Sequence, residues 1–149
     1  MGFFAVETTL ILLGLTGFLL ASYIHNKKSK KKRLICPRKS DCNSVVNSDY
    51  SKIFGIPVEA LGMFYYAFIA IYHGVFGLYF LNSMLYPHFF VWILYTYFFV
   101  ICISLLAVLF SLYLIFVQAF KIRQWCLWCI GSAIISILIF IISLNNFLT

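Results

Sequence analysis

The sequence predicts an all-α integral membrane protein: a four-helix bundle with a cysteine loop and a short capping half-helix between its first two helices. Three observations carry this. Hydrophobic residues make up 64% of the 149 and charged residues only 10%, a balance foreign to soluble globular domains. Four apolar runs each reach the roughly 20 residues that span a bilayer as a helix. The polar residues collect in one substantial loop, which leaves no room for a second folded domain, so residues 1–149 read as a single unit.

The first run, about 3–24, is too long for a cleaved leader and lacks a basic lead-in, so it reads as a true span. The loop and half-helix occupy 25–60. Lys27, Lys28, Lys30, Lys31, Lys32 and Arg33 directly follow the first span, where a basic cluster anchors to lipid headgroups. The net charge of +7 thus points to membrane lipid and not to nucleic acid, because no soluble domain surrounds the cluster. Cys36 and Cys42 lie on a polar stretch interrupted by Pro37, expected to be extended. Asn47 or Ser48 then suits the N-cap of a half-helix over 49–54, with Tyr50, Ile53 and Phe54 on one face and Gly55 at its end. Pro57 and Glu59 sit in the first turn of the second span, about 61–81. The third run, about 89–120, exceeds one straight span, and the fourth covers about 126–144.

Connectivity brings the chemistry together. With four spans, the loop at 25–60 and the link at 121–125 share one membrane face, while both termini and the link at 82–88 lie on the other. Cys36, Cys42, Cys126 and Cys129 are therefore neighbours by topology. Cys126 and Cys129 form a CxxC that opens the last helix. There the unpaired N–H groups and the helix dipole favour a thiolate on the first cysteine, and thiolate attack on a disulfide is the elementary step of a relay. An electron acceptor soluble in lipid, such as a quinone, fits between the helices of such a bundle. Four cysteines also suit zinc, but the Cys36–Cys42 spacing through a proline is a poor metal knuckle, so no metal is expected. Cys102, alone in the third span, reads as a packing residue.

His73 falls mid-span, where an ionisable residue points to function, while a neutral imidazole hydrogen-bonded to one of the ten tyrosines is the favoured reading. His25 and His88 flank spans at interfacial positions, and Trp125 and Trp128 suit the aromatic belt. Four spans without paired broken helices argue against a transporter.

The runs Cys42-Asn-Ser-Val-Val-Asn-Ser48-Asp-Tyr50, Phe54-Gly-Ile-Pro57, Gly62-Met-Phe-Tyr-Tyr66 and Trp125-Cys126-Leu-Trp128-Cys129 resemble the vitamin K epoxide reductase family across essentially the whole chain. The spacing of Cys36 and Cys42 is similar to its prokaryotic branch. A second family of quinone-linked thiol oxidases carries its CxxC in the first loop, whereas here the motif opens the last helix. The resemblance implies a quinone-dependent thiol oxidoreductase that generates disulfides, using a ubiquinone- or menaquinone-type cofactor. Cys129 would face the quinone, Cys126 would exchange with Cys42, and Cys36 with Cys42 would form the shuttle pair. Ser48 matches a family serine near the quinone headgroup, although cap statistics alone favour a helix cap, and one serine can serve as both. Tyr65 and Tyr66 either wall the quinone pocket or simply pack.

Two departures bear on substrate. A tyrosine of the vertebrate enzymes is replaced by Ala133, and an asparagine by Val58, so quinone reduction is expected over epoxide reduction, with a non-catalytic four-cysteine metal protein as the rival class. Prokaryotic relatives often carry a fused thioredoxin-like domain. None follows here before Thr149, so a separate thioredoxin-like redox protein is the expected partner. Orientation sets two rules against each other. All eleven Lys and Arg residues lie on the cysteine face, which favours a cytosolic site by the positive-inside rule, while relatives keep this site outside, where disulfides belong.

Overall fold

The computed structural model describes residues 2–37, 41–82 and 89–149. The expectations for Arg38 and Lys39 and for the link at 83–88, including His88, fall outside them. Helix α1 spans Gly2–Ser29. A five-residue helix α2, Cys42–Val46, follows in the loop, then a single 3-10 turn over Asp49–Ser51. A two-stranded hairpin pairs β1 (Lys52–Ile53) with β2 (Ile56–Pro57). Three long helices complete the chain: α3 (Val58–Asn82), α4 (Phe89–Val117) and α5 (Leu127–Leu148). Among the described residues α1, α3, α4 and α5 are each long and apolar enough to cross a membrane, and they form the all-α bundle the composition predicts.

The loop departs from expectation. The half-helix over 49–54 is instead a 3-10 turn that runs into the hairpin, and the helical turn lies earlier, opening at Cys42 itself. The local cause is Asp41, whose Oδ1 accepts the Ser44 N–H at 3.2 Å and caps α2. Phe54 and Gly55 both take positive φ, 50° and 80°, the signature of a two-residue hairpin turn that matches strand twist. Gly55 therefore turns a hairpin and does not end a helix. Phe54 at its tip is fully exposed, as an apolar side chain bound for lipid would be.

In a bilayer, helices associate through small residues that let their backbones approach. Here α1 contributes Gly14 and Gly17. A Cβ on Gly17 would lie 2.5 Å from the Tyr66 ring, and one on Gly14 would lie 3.1 Å from Ala70 Cβ. The missing side chains let α3 settle onto α1 and seat Tyr66. Leu10, Ile69, Val100 and Ile139, one from each spanning helix and all fully buried, close the middle of the bundle. The lipid-facing surface is correspondingly apolar, with Leu19, Phe64, Trp92 and Tyr95 strongly exposed.

Candidate functional site

The long third run ends by changing its winding. After Val117 the helix continues as a π turn, Gln118–Ile122, and Arg123 adopts a left-handed conformation (φ 55°). This turns the chain back so that α5 can begin beside α4. Gln118 is almost completely buried, and its Oε1 accepts the Cys126 N–H at 3.2 Å. It thus fixes the backbone where the CxxC starts. Sequence reasoning overlooked this residue. The available signal was an amide at the end of an apolar run, one turn before the link.

Cys126 is the N-cap of α5, and its Sγ accepts the Cys129 N–H at 3.4 Å. The Cys129 thiol, and after it the Cys129 and Trp128 backbone N–H groups, hold the Cys126 thiol below the usual cysteine range even though burial pushes the other way. Cys126 therefore carries the larger thiolate share expected of an exchange partner.

Cys36 and Cys42 are joined in a disulfide with Cα atoms 6.1 Å apart, while Cys126 and Cys129 are thiols. The four sulfurs come together as topology predicts. Cys42 and Cys126, both essentially inaccessible, lie in one buried cluster with Ile24, Leu34, Val45 and Val46, and Cys36 and Cys129 pack against it. Trp128 pins the loop: its Nε1–H donates to the Ile35 carbonyl at 3.1 Å, and its ring meets Tyr23 at 5.2 Å. The tryptophan between the two cysteines thus anchors the segment carrying the disulfide, and Trp125, half exposed, suits the interface. Cys102, on α4, stays apart as a free thiol.

Below this cluster lies a cavity of about 510 Å³ between α1, α3, α4 and α5, within the usual range of small-molecule sites. Of the cysteines, only Cys129 lines it, and Ser48, Tyr65 and Tyr66 line it too. Ser48 makes no side-chain cap bond. Its Oγ–H donates to the Val45 carbonyl at 2.7 Å, so its one proton is committed there at the cavity wall. The Tyr66 hydroxyl is held by the Ser132 carbonyl and by the Ser132 and Ser136 hydroxyls at 2.7–2.9 Å. Tyr65 donates to Ser104 Oγ at 3.3 Å. Mostly apolar walls with a few hydroxyls, beside the Cys129 thiol, fit a flat quinone ring. The residues that would hold it are Ser48, Tyr65 and Tyr66 around Cys129.

A second polar cluster lies deeper in the bundle. His73 is fully buried, but its partner is not a tyrosine: Nδ1 stands 2.7 Å from Glu7 Oε2, on α1. Tyr72 and Tyr97 meet the imidazole edge-on, with ring centroids 5.2 and 6.4 Å away. Glu7 was missed because its partner lies 66 residues away in the chain.

Such a protein is a membrane redox bundle: four spanning helices around a cavity, with a loop disulfide stacked on a helix-capping dithiol. The chain belongs to the vitamin K epoxide reductase family, whose model matches residues 8–144. That family comprises membrane oxidoreductases associated with vitamin K and related quinones. Comparison with curated proteins finds no match.

Proposed function

We propose that the protein is a quinone-dependent thiol oxidoreductase that generates disulfides. The observation that carries this reading is the division of labour between the two CxxC sulfurs. Cys126 packs with the loop pair, and Cys129 lines the cavity. With the CxxC oxidised, the Cys42 thiolate attacks Cys126 and releases Cys129. Cys36 then displaces Cys126 from Cys42, which leaves the loop pair as a disulfide and its two electrons in the inner thiols. A bound quinone supplies a two-electron, two-proton acceptor. Ser48 would donate its hydroxyl to a quinone oxygen once turned from the Val45 carbonyl, while Tyr65 and Tyr66, their hydroxyls tied back, wall the ring.

The loop pair receives its electrons from a separate thioredoxin-like protein, the partner expected of a dithiol that sits on a loop. Ubiquinone- and menaquinone-type rings both suit the cavity. Ala133 is buried and Val58 lines the cavity. Neither offers the hydrogen bond that epoxide reduction would use, which favours plain quinone reduction. The disulfide in the loop withdraws two sulfurs from the thiolate set that a four-cysteine metal site requires, which favours the enzyme over the metal protein. The one-sided basic residues favour a cytosolic cysteine end.

The test is reduction of a short-chain quinone by the purified protein with a reduced thioredoxin-like donor. Turnover is expected, and Cys129→Ala should abolish it. Stoichiometric zinc without any turnover would refute the reading.

A further inference from the structure

One polar corner of the cavity is unlike the rest. Glu59, in the first turn of α3, is buried and lines the cavity together with Cys129 and Ser51. Lys28, in the last turn of α1, reaches in behind it. Its Nζ stands 3.0 Å from Glu59 Oε1 and 3.1 Å from Ser51 Oγ. The neighbouring Lys30, Lys31, Lys32 and Arg33 are all exposed, so Lys28 alone among these turns inward, and it does so at a cost. Taking an ion pair out of water gains little that apolar side chains of the same size would not supply. The Lys28 side chain keeps 15% of its surface exposed against 6% for Glu59, which leaves the pair open to water at one end and to the cavity at the other.

We infer that Glu59 and Lys28 are the proton-delivery pair for the quinone bound against Cys129; the inference rests on the reading above. Oxidation of the Cys126–Cys129 dithiol breaks two S–H bonds, forms one S–S bond and releases two electrons and two protons. Conversion of the quinone to its hydroquinone takes up the same two electrons and two protons, one O–H bond forming at each oxygen. Lys28 passes a proton along the 3.0 Å contact to the Glu59 carboxylate, which hands it to the oxygen in its corner; water at the exposed end of Lys28 restores the ammonium, and the second oxygen takes the proton that the Cys129 thiol gives up. The other ionisable groups on the cavity are engaged or peripheral. Tyr65 is bound to Ser104 and Tyr66 to Ser132 and Ser136, and Tyr50 is exposed on the loop. On α5, Cys126 and Cys129 are the electron donors themselves.

Two variants separate proton delivery from mere structure. Glu59→Gln keeps the shape and hydrogen bonding but cannot relay a proton. Lys28→Arg keeps the charge and the ion pair but holds its proton too firmly to give it up. Both are expected to slow quinone reduction by about a hundredfold. Quinone affinity, read by quenching of tryptophan fluorescence, and thiol exchange with the donor should stay at wild-type values. A wild-type rate in either variant overturns the proton pair while leaving quinone reduction standing, and so does a loss explained by weaker quinone affinity. A wild-type protein that reduces no quinone overturns both.

Discussion

Among the described residues two acid–base pairs are buried, and they are built for different ends. Lys28 and Glu59 sit where α1 ends and α3 begins, beside the cavity and with one partner still reached by water. Glu7 and His73 sit farther along the same two helices, with side chains 4% and 0% exposed, and neither lines the cavity. Between them lies the sealed layer of Leu10, Ile69, Val100 and Ile139. At the first pair, polar atoms face a space that a ligand can enter. At the second they face aromatic rings, with Glu7 Oε1 and His73 Nε2 lacking partners among the described residues. A buried charge in a membrane protein is thus no sign of chemistry by itself. What surrounds it decides.

This contrast can be broken by mutation. Removing Glu7 alone leaves His73 buried without its carboxylate. Glu7→Ala should destabilise the protein in detergent by about 3 kcal/mol, the lower end of the range for breaking a buried pair. Glu7→Leu combined with His73→Leu should recover most of that loss in thermal unfolding and leave quinone reduction intact. If the double variant folds but no longer turns over, the far pair belongs to the chemistry and the contrast fails.

A smaller effect sharpens the same comparison from the middle of the bundle. Gly17→Ala drives a methyl into the Tyr66 ring, and overpacking of this kind costs about 1–3 kcal/mol. Tyr66 also walls the cavity, so the variant should lose quinone affinity as well as melting temperature. Gly14→Ala, whose methyl meets Ala70 and the backbone, should lower the melting temperature and leave quinone affinity nearly unchanged. Equal losses of affinity in the two variants would show that the cavity senses helix spacing in general and not the Tyr66 ring.

How much of this was legible in the sequence follows from the range of each interaction. The spans and the shared face of the four cysteines follow from apolar run length and connectivity, both of which are local or topological. Span ends shifted by a few residues where capping decided them: α1 continues through the first lysines to Ser29, and α5 to Leu148. The loop was misread because Asp41 competes with Ser48 for the capping role, and only the folded backbone shows which one wins. Glu7 with His73, Lys28 with Glu59 and Gln118 with Cys126 were not legible as pairs. Each joins elements brought together only by helix packing, and periodicity along one helix carries no record of its neighbour.

The central claim is that the two cysteine pairs form one relay joined at Cys42 and Cys126, and the most direct measurement is disulfide trapping at that junction. In Cys36→Ser/Cys129→Ser protein treated with diamide, peptide mass spectrometry should find Cys42 linked to Cys126. A Cys42→Ser/Cys129→Ser control should yield little Cys36–Cys126 product. Failure of the Cys42–Cys126 bond to form, or equal linkage through Cys36, would contradict the relay.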